Sequence, residues 1–68
     1  MVIKMVKVNG EELDIAGKTV AEYLRAAKYD EKRIALERNG EIVFKSHYGD
    51  TVIEEGDVLE IVSFVGGG

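Results

Sequence analysis

The 68-residue sequence contains no cysteine, no proline and no tryptophan, and its only histidine is His47. Without cysteine the chain forms neither the disulfides nor the thiolate metal sites that stabilise many domains of this size. No uninterrupted apolar run exceeds three residues, so we expect neither a membrane span nor the apolar segment of a secretory signal. The net charge of −4 argues against nucleic acid, whose phosphates select basic surfaces. These absences leave one small domain, expected in the cytoplasm, that folds by its core alone.

The same scarcity of chemical groups argues against an enzyme. Nucleophilic catalysis needs a nucleophile beside a base that a third group orients. His47 lies in a polar stretch and is interpreted as a solvated surface histidine. Glu54, Glu55 and Asp57 surround a glycine and are interpreted as a solvated turn rather than a metal loop. We therefore expect no catalytic residue, no metal ligand and no bound cofactor.

The apolar pattern changes its period at turn signals. Asn9-Gly10 is a favourable two-residue hairpin turn because both positions tolerate positive φ. The sequence Thr19-Val20-Ala21-Glu22 fits a capping box, which predicts the start of a helix. Inward alternation starts cleanly only after Met5, which leaves open whether residues 1–4 are an extension. The predicted elements are two strands within residues 2–15, a helix over 20–28, a strand at 34–38, a short strand around 42–43 and a strong strand at 58–65.

One helix covers one face of one sheet, so the order of elements predicts a single mixed sheet packed on a single helix. We expect the last strand to lie in the middle of the sheet, parallel to the first, as in β-grasp domains. In this register Leu59 and Ile61 point inward, whereas Val62 and Phe64 lie on the opposite face. A solvent-facing apolar pair there predicts a docking patch, with ordinary exposed surface or a register slip as the alternatives.

Three consecutive glycines, Gly66, Gly67 and Gly68, follow the strongest strand. Glycine loses more conformational entropy on ordering than any other residue, so such a run needs an explanation. One explanation is a frayed chain end. The other is an arm without side chains that enters the narrow cleft of a partner and presents its carboxylate.

Residues 37–43 (ERNGEIV) and 56–68 (GDVLEIVSFVGGG) resemble the ThiS family of sulfur carriers in thiamin biosynthesis. The resemblance covers nearly the whole chain, from the Asn9 turn to Gly68. Phe44 departs from it, because this family usually has proline after Ile-Val, and the departure leaves the following loop open. The resemblance implies an α+β domain of the ubiquitin-like β-grasp fold at residues 1–65 and a flexible glycine arm at 66–68.

The resemblance also implies that the Gly68 carboxylate is the reactive group. An activating enzyme of the ThiF type would use ATP to convert it to an acyl-adenylate. Sulfur from a cysteine desulfurase or a related donor would then displace AMP and leave a thiocarboxylate, whose sulfur thiazole synthase would take. The implied sites are Gly67 and Gly68 in the partner active sites, Gly66 and Val65 in the arm, and Phe64 with Val62 at the docking surface.

Two alternatives stay open at this point. A MoaD-type carrier of molybdopterin synthesis has the same fold and end chemistry, although such proteins are usually longer and the Phe-Val-Gly-Gly-Gly ending is more similar to ThiS. A β-grasp module that only binds a partner, its glycines being incidental, belongs to another functional class.

Overall fold

The computed structural model describes residues 5–64, which form a five-stranded sheet and one α-helix. Expectations about residues 1–4 and 65–68, including the boundary between domain and glycine arm, lie outside the described residues. The strands are β1 Val6–Val8, β2 Glu11–Leu13, β3 Ile34–Arg38, β4 Glu41–Val43 and β5 Val58–Ser63; α1 is Val20–Ala26, and two short 3₁₀ helices span Glu31–Arg33 and Lys45–His47.

The strand order is β2-β1-β5-β3-β4, so the last strand lies at the centre of the sheet. It runs parallel to β1, with Val8 opposite Leu59, and antiparallel to β3, with Leu36 opposite Ile61. The predicted mixed sheet with a central last strand is confirmed, and its topology is that of the ubiquitin-like β-grasp fold.

Both hairpins turn at an Asn-Gly pair with positive φ at each position. The φ angles are 50° and 85° at Asn9 and Gly10, and 52° and 86° at Asn39 and Gly40. Positive φ at both central residues is what a type I′ turn requires, and this turn matches the right-handed twist of the strands it joins. The predicted hairpin turns are therefore confirmed.

Helix α1 starts as predicted but ends earlier. The Thr19 hydroxyl accepts from the Glu22 N–H at 3.1 Å, and the Glu22 carboxylate accepts from the Thr19 N–H at 2.8 Å. The helix was expected to reach residue 28, yet Lys28 has φ 63°. Its N–H donates to the Arg25 carbonyl, and the next N–H donates to the Leu24 carbonyl, which is the bonding of a Schellman motif. Because lysine rather than glycine occupies this position, the sequence did not signal the helix end.

None of the helices among residues 5–64 is long and apolar enough to cross a membrane.

The core lies between α1 and the inner face of the sheet. Tyr48, which directly follows the 3₁₀ helix Lys45–His47, is fully buried there, and its carbonyl accepts from the Ala21 N–H at 2.9 Å. The loop after β4 is therefore attached to the start of the helix. The buried apolar residues are Val6, Val8, Ile15, Val20, Ala21, Tyr23, Leu24, Ile34, Leu36, Tyr48, Ile53, Leu59 and Ile61.

Candidate partner-docking site

The outer face of the sheet, opposite α1, carries the residues that the sequence assigned to docking. Val62 and Phe64 are 59 % and 58 % exposed, whereas Leu59 and Ile61 of the same strand are buried. The outward register of the final strand is therefore confirmed, and the register slip that would bury both residues is excluded. The role of this pair in docking stays a prediction.

Two further exposed apolar side chains enlarge this surface. Ile42 is 62 % and Phe44 is 68 % exposed. Ala35 pairs with Val62, and continuing the β3–β4 register by one residue places Phe44 opposite Ala35 from the other side. Side chains two residues apart on an extended segment share a face, so Phe44 joins Ile42 on the outer face. We call Ile42, Phe44, Val62 and Phe64 the outer apolar patch.

The sequence noted Phe44 only as a departure from an expected proline. Its φ is −77° and its ψ 150°, within the range to which proline is restricted, so phenylalanine occupies the same backbone conformation. The following segment forms the 3₁₀ helix Lys45–His47. The substitution therefore leaves the backbone compatible with either residue and adds a large aromatic side chain to the outer apolar patch.

Two carboxylates lie beside this patch. Glu37 and Glu60 are directly paired across β3 and β5, and Ile42 is the partner of Glu37 on the other side. Neither glutamate forms an ion pair with another residue within 5–64. Like charges directly opposite each other destabilise a sheet. Such a pair is favourable once a partner places a cation over it.

Strand β5, which leads to this end of the molecule, is held from both sides. The Asn9 side chain accepts from the Ile61 N–H at 2.8 Å and donates to the Ile61 carbonyl at 3.2 Å. The Phe64 N–H donates to the Arg33 carbonyl at 2.7 Å. The described chain thus remains attached to the sheet up to Phe64, which fixes the backbone from which that side chain extends.

Asp57 corrects the prediction of a solvated turn. The residue is 6 % exposed, and its carboxylate accepts from Arg38 Nε at 2.8 Å, from Asn39 Nδ2 at 3.0 Å and from the Glu54 N–H at 2.9 Å. Burial raises the pKa of Asp57, but these hydrogen bonds outweigh burial, so the net pKa lies below its ordinary value. The hydrogen bond between Arg38 and Asp57 also raises the pKa of Arg38. Asp57 therefore joins the turn before β5 to the β3–β4 hairpin.

The other titratable residues considered from the sequence lie on the surface of the described chain. His47 is exposed and ends the 3₁₀ helix Lys45–His47, in agreement with a surface histidine. Within residues 5–64, no group of three His, Cys, Asp or Glu side chains is close enough to hold a metal ion. Glu54 and Glu55 are exposed, as the interpretation of this turn expected.

The remaining predicted site residues are Val65, Gly66, Gly67 and Gly68, and they lie outside the described residues. The arm and its reactive carboxylate therefore stay predictions. The described chain ends at Phe64, one residue before the predicted arm.

Comparison with known proteins identifies the family. The family model described as the ThiS family matches residues 6–68. The chain is 37 % identical over 68 residues to the sulfur carrier protein ThiS of Bacillus subtilis, covering 94 % of this chain and 100 % of that protein. The crystal structure of a thiamine biosynthesis protein (ThiS) from Geobacter metallireducens superposes with a TM-score of 0.77 at 32 % identity, covering 94 % of this chain and 99 % of the other.

A second class of relative is much longer. The chain is 47 % identical over 62 residues to a thiazole synthase of Paramagnetospirillum magneticum, covering 90 % of this chain. It spans only about a fifth of the length of the thiazole synthases that it matches, 19 % and 20 % in two organisms.

These matches decide between the alternatives that the sequence left open. They favour the ThiS family over the MoaD type. From its sequence match and its fold, the chain belongs to the ThiS family.

Proposed function

We propose that the protein carries sulfur in thiamin biosynthesis as a thiocarboxylate on Gly68. The observation that carries this proposal is the extent of the family match, which continues through residue 68 and so includes all three terminal glycines. The first of these glycines, Gly66, comes three residues after Ser63, the last residue of the central strand β5. An arm in this position starts from the best-supported strand of the fold.

The chemistry at Gly68 proceeds in two displacements. A carboxylate resists nucleophiles because it is anionic and lacks a leaving group. In the first displacement its oxygen attacks the α-phosphorus of ATP, pyrophosphate leaves, and an acyl-adenylate forms. In the second, hydrosulfide, which a thiol reductant releases from the persulfide of the donor by forming a disulfide with it, adds its electron pair to the acyl carbon, and AMP leaves with the bonding pair. The product is a thiocarboxylate in which one oxygen has been replaced by sulfur.

The partners supply every reactive group that this chain lacks. An adenylating enzyme of the ThiF type binds ATP, and a cysteine desulfurase or a related donor provides the sulfur, so the carrier itself needs no cofactor and no cysteine. Dependence on ATP is consistent with the cytoplasm as its location. The similarity of this chain to part of two thiazole synthases supports thiazole synthase as the enzyme that takes the sulfur.

The outer apolar patch is the docking surface in this proposal. Exposed aromatic side chains grouped with aliphatic ones are typical of the anchors of protein interfaces. Phe64 comes only three residues before Gly67 in the sequence, so a partner that binds Val62 and Phe64 is also able to engage the predicted arm. Ile42 and Phe44 extend the same contact toward the edge of the sheet.

Intact-mass spectrometry tests the proposal. The purified chain is mixed with ATP, a ThiF-type enzyme and a sulfur donor, and the expected product is heavier by one oxygen-to-sulfur exchange. A version with one alanine added after Gly68 is the matched control, because the residue that carries its terminal carboxylate has a methyl side chain that a cleft shaped for glycine excludes. Absence of the shift in the unmodified chain with an active enzyme contradicts the proposal.

A further inference from the structure

The backbone of β5 alternates between its two neighbours. The backbone N–H and C=O groups of its even-numbered residues point toward β3. The Asn39 N–H donates to the Val58 carbonyl at 2.8 Å, and the Phe64 N–H donates to the Arg33 carbonyl at 2.7 Å. Odd-numbered residues face β1, as shown by the Asn9 N–H, which donates to the Leu59 carbonyl at 3.0 Å. Since Ser63 is odd-numbered and pairs with Ile34 between those β3 bonds, its N–H and C=O point to the β1 side.

Strand β1 ends before it reaches Ser63. The chain turns at Asn9-Gly10 and runs back as β2 on the far side of β1. The Asn9 side-chain amide replaces one further backbone unit by bonding both the N–H and the C=O of Ile61. Ile34 and Ser63 form a non-hydrogen-bonded pair of the β3–β5 ladder, and outside the ladders no bond within residues 5–64 involves the N–H or the C=O of Ser63, which is exposed. The edge of β5 that faces β1 is therefore hydrogen-bonded as far as Ile61 and open at Ser63. We call the backbone groups of Ser63 on this side the open edge of β5.

The geometry points to Ser63 as a strand-addition site, at which an extended segment of the activating enzyme pairs with the open edge of β5 beyond the end of β1. An added strand binds through backbone hydrogen bonds and is a recurrent mode of peptide recognition. This inference rests on the proposed function and adds to it a contact with the backbone, separate from the side chains of the outer apolar patch.

The position of Ser63 favours the activating enzyme as the occupant. Gly68 lies five positions after Ser63, and an extended chain of five residues spans about 17 Å. An active site that holds Gly68 therefore lies within about 17 Å of Ser63. The residues on either side of Ser63, Val62 and Phe64, belong to the outer apolar patch. A protein bound to this patch is therefore adjacent to the open edge of β5.

Backbone bonding at this site also has a functional advantage. It aligns the segment before the glycines without requiring a particular side chain at Ser63. A strand pairs along both its N–H and C=O groups, so the approach of the arm is fixed in register as well as in direction. The glycines, which lack side chains, cannot supply this alignment themselves.

Substitution of Ser63 by proline tests the inference. Proline removes the Ser63 N–H at the open edge of β5 but breaks no bond to β3. It is tolerated in a strand where the N–H that it replaces faces solvent. We expect Ser63→Pro to fold and to raise the KM of the activating enzyme for the carrier by about tenfold, the equivalent of one hydrogen bond of roughly 1.4 kcal/mol. Ser63→Ala, which keeps the N–H, is the matched control and is expected to behave as the unmodified chain.

The outcomes separate the two proposals. If the unmodified chain is not loaded with sulfur, the proposed function fails. If the unmodified chain and Ser63→Pro are loaded with the same KM, only the strand-addition site is wrong. Should Ser63→Pro not fold, hydrogen exchange of the Ser63 amide in the unmodified chain decides: slowing by about tenfold on binding the activating enzyme supports the site, and unchanged exchange overturns it.

A second copy of the chain is the competing occupant. Sedimentation equilibrium of the carrier alone tests it, because pairing of two β5 edges would produce a dimer that Ser63→Pro dissociates. That result would overturn the assignment to the activating enzyme, whereas a monomer in both cases supports it.

Discussion

The side chain of Asn9 forms two hydrogen bonds with the backbone of Ile61, 52 residues away in sequence, at 2.8 and 3.2 Å. The side-chain amide thereby occupies the place of the next residue in the parallel ladder between β1 and β5. Asn9, a residue typical of the hairpin turn in which it lies, therefore also stabilises β5, the strand that precedes the predicted arm.

Replacement of Asn9 by glycine isolates this support. Glycine accepts the φ of 50° at this position, so the substitution adds no backbone strain. It leaves the N–H and C=O of Ile61 without their partner, and we expect the free energy of unfolding to fall by about 1–3 kcal/mol. Urea denaturation measures the loss. Exchange of the Ile61 amide is expected to accelerate as well.

Lys28→Gly is the control for the glycine itself. Lys28 has a φ of 63°, and its side chain forms no hydrogen bond or ion pair with another residue within 5–64. Relief of the left-handed conformation is expected to leave stability unchanged or to raise it by up to about 1 kcal/mol. If Asn9→Gly is as stable as Lys28→Gly, the Asn9 bonds contribute nothing.

Asp57 makes stability depend on pH in the acid range. Its pKa in the folded chain is below the ordinary value, because the hydrogen bonds from Glu54, Arg38 and Asn39 outweigh the effect of burial. A lowered folded pKa contributes stability that is complete above the unfolded pKa of about 4 and is lost as the pH falls through the folded pKa. Asp57→Asn is expected to lose about 1.5–3 kcal/mol at pH 7 and to show a weaker dependence between neutral and acid pH.

The matched control for this substitution is Asp50→Asn. Asp50 is exposed, and its side chain forms no hydrogen bond with another residue within 5–64. Thermal unfolding is followed from pH 7 down to the acid limit for all three proteins. Parallel curves for the unmodified chain and Asp57→Asn would contradict the role of the Asp57 carboxylate.

Phe64→Ala is expected to weaken binding of the activating enzyme while leaving the carrier folded. Phe64 is mostly exposed, so truncation removes little buried surface and should change the free energy of unfolding by less than about 1 kcal/mol. Loss of an aromatic anchor from an interface commonly costs about 2 kcal/mol or more of binding energy. Titration calorimetry measures this loss, and Val52→Ala, an exposed apolar residue outside the sheet strands, serves as control. A large fall in melting temperature would instead assign Phe64 to the core.

Glu60→Gln separates the stability of the sheet from its recognition. Removing one of two paired glutamates relieves repulsion with Glu37, so the free carrier is expected to gain about 0.2–1 kcal/mol. The same change removes attraction for a partner's cation, so association should slow and depend less on salt. Stopped-flow association at two ionic strengths measures this. Lys7→Gln, on the outer side of neighbouring β1, is the control of opposite charge. An unchanged association rate for Glu60→Gln would contradict a role of this pair in docking.

Most of the fold followed from local sequence. Asn-Gly pairs between apolar alternations specify hairpins because their backbone tolerates positive φ, and the Thr19–Glu22 capping box specifies the helix start. The period of residues 58–65 also assigned Leu59 to the core and Phe64 to the surface. These features depend on neighbours within a few residues, which a sequence displays directly.

The glycine run and the family resemblance were likewise available from the sequence, and with them the proposed chemistry at Gly68. Only the tertiary structure showed that Asp57 is buried, that Tyr48 belongs to the core, and that Phe44 joins Val62 across β3 in one apolar surface. It alone showed that the edge of β5 that faces β1 is unpaired at Ser63. Each of these depends on which distant strands pair and where one ends beside another, and no local period contains that information.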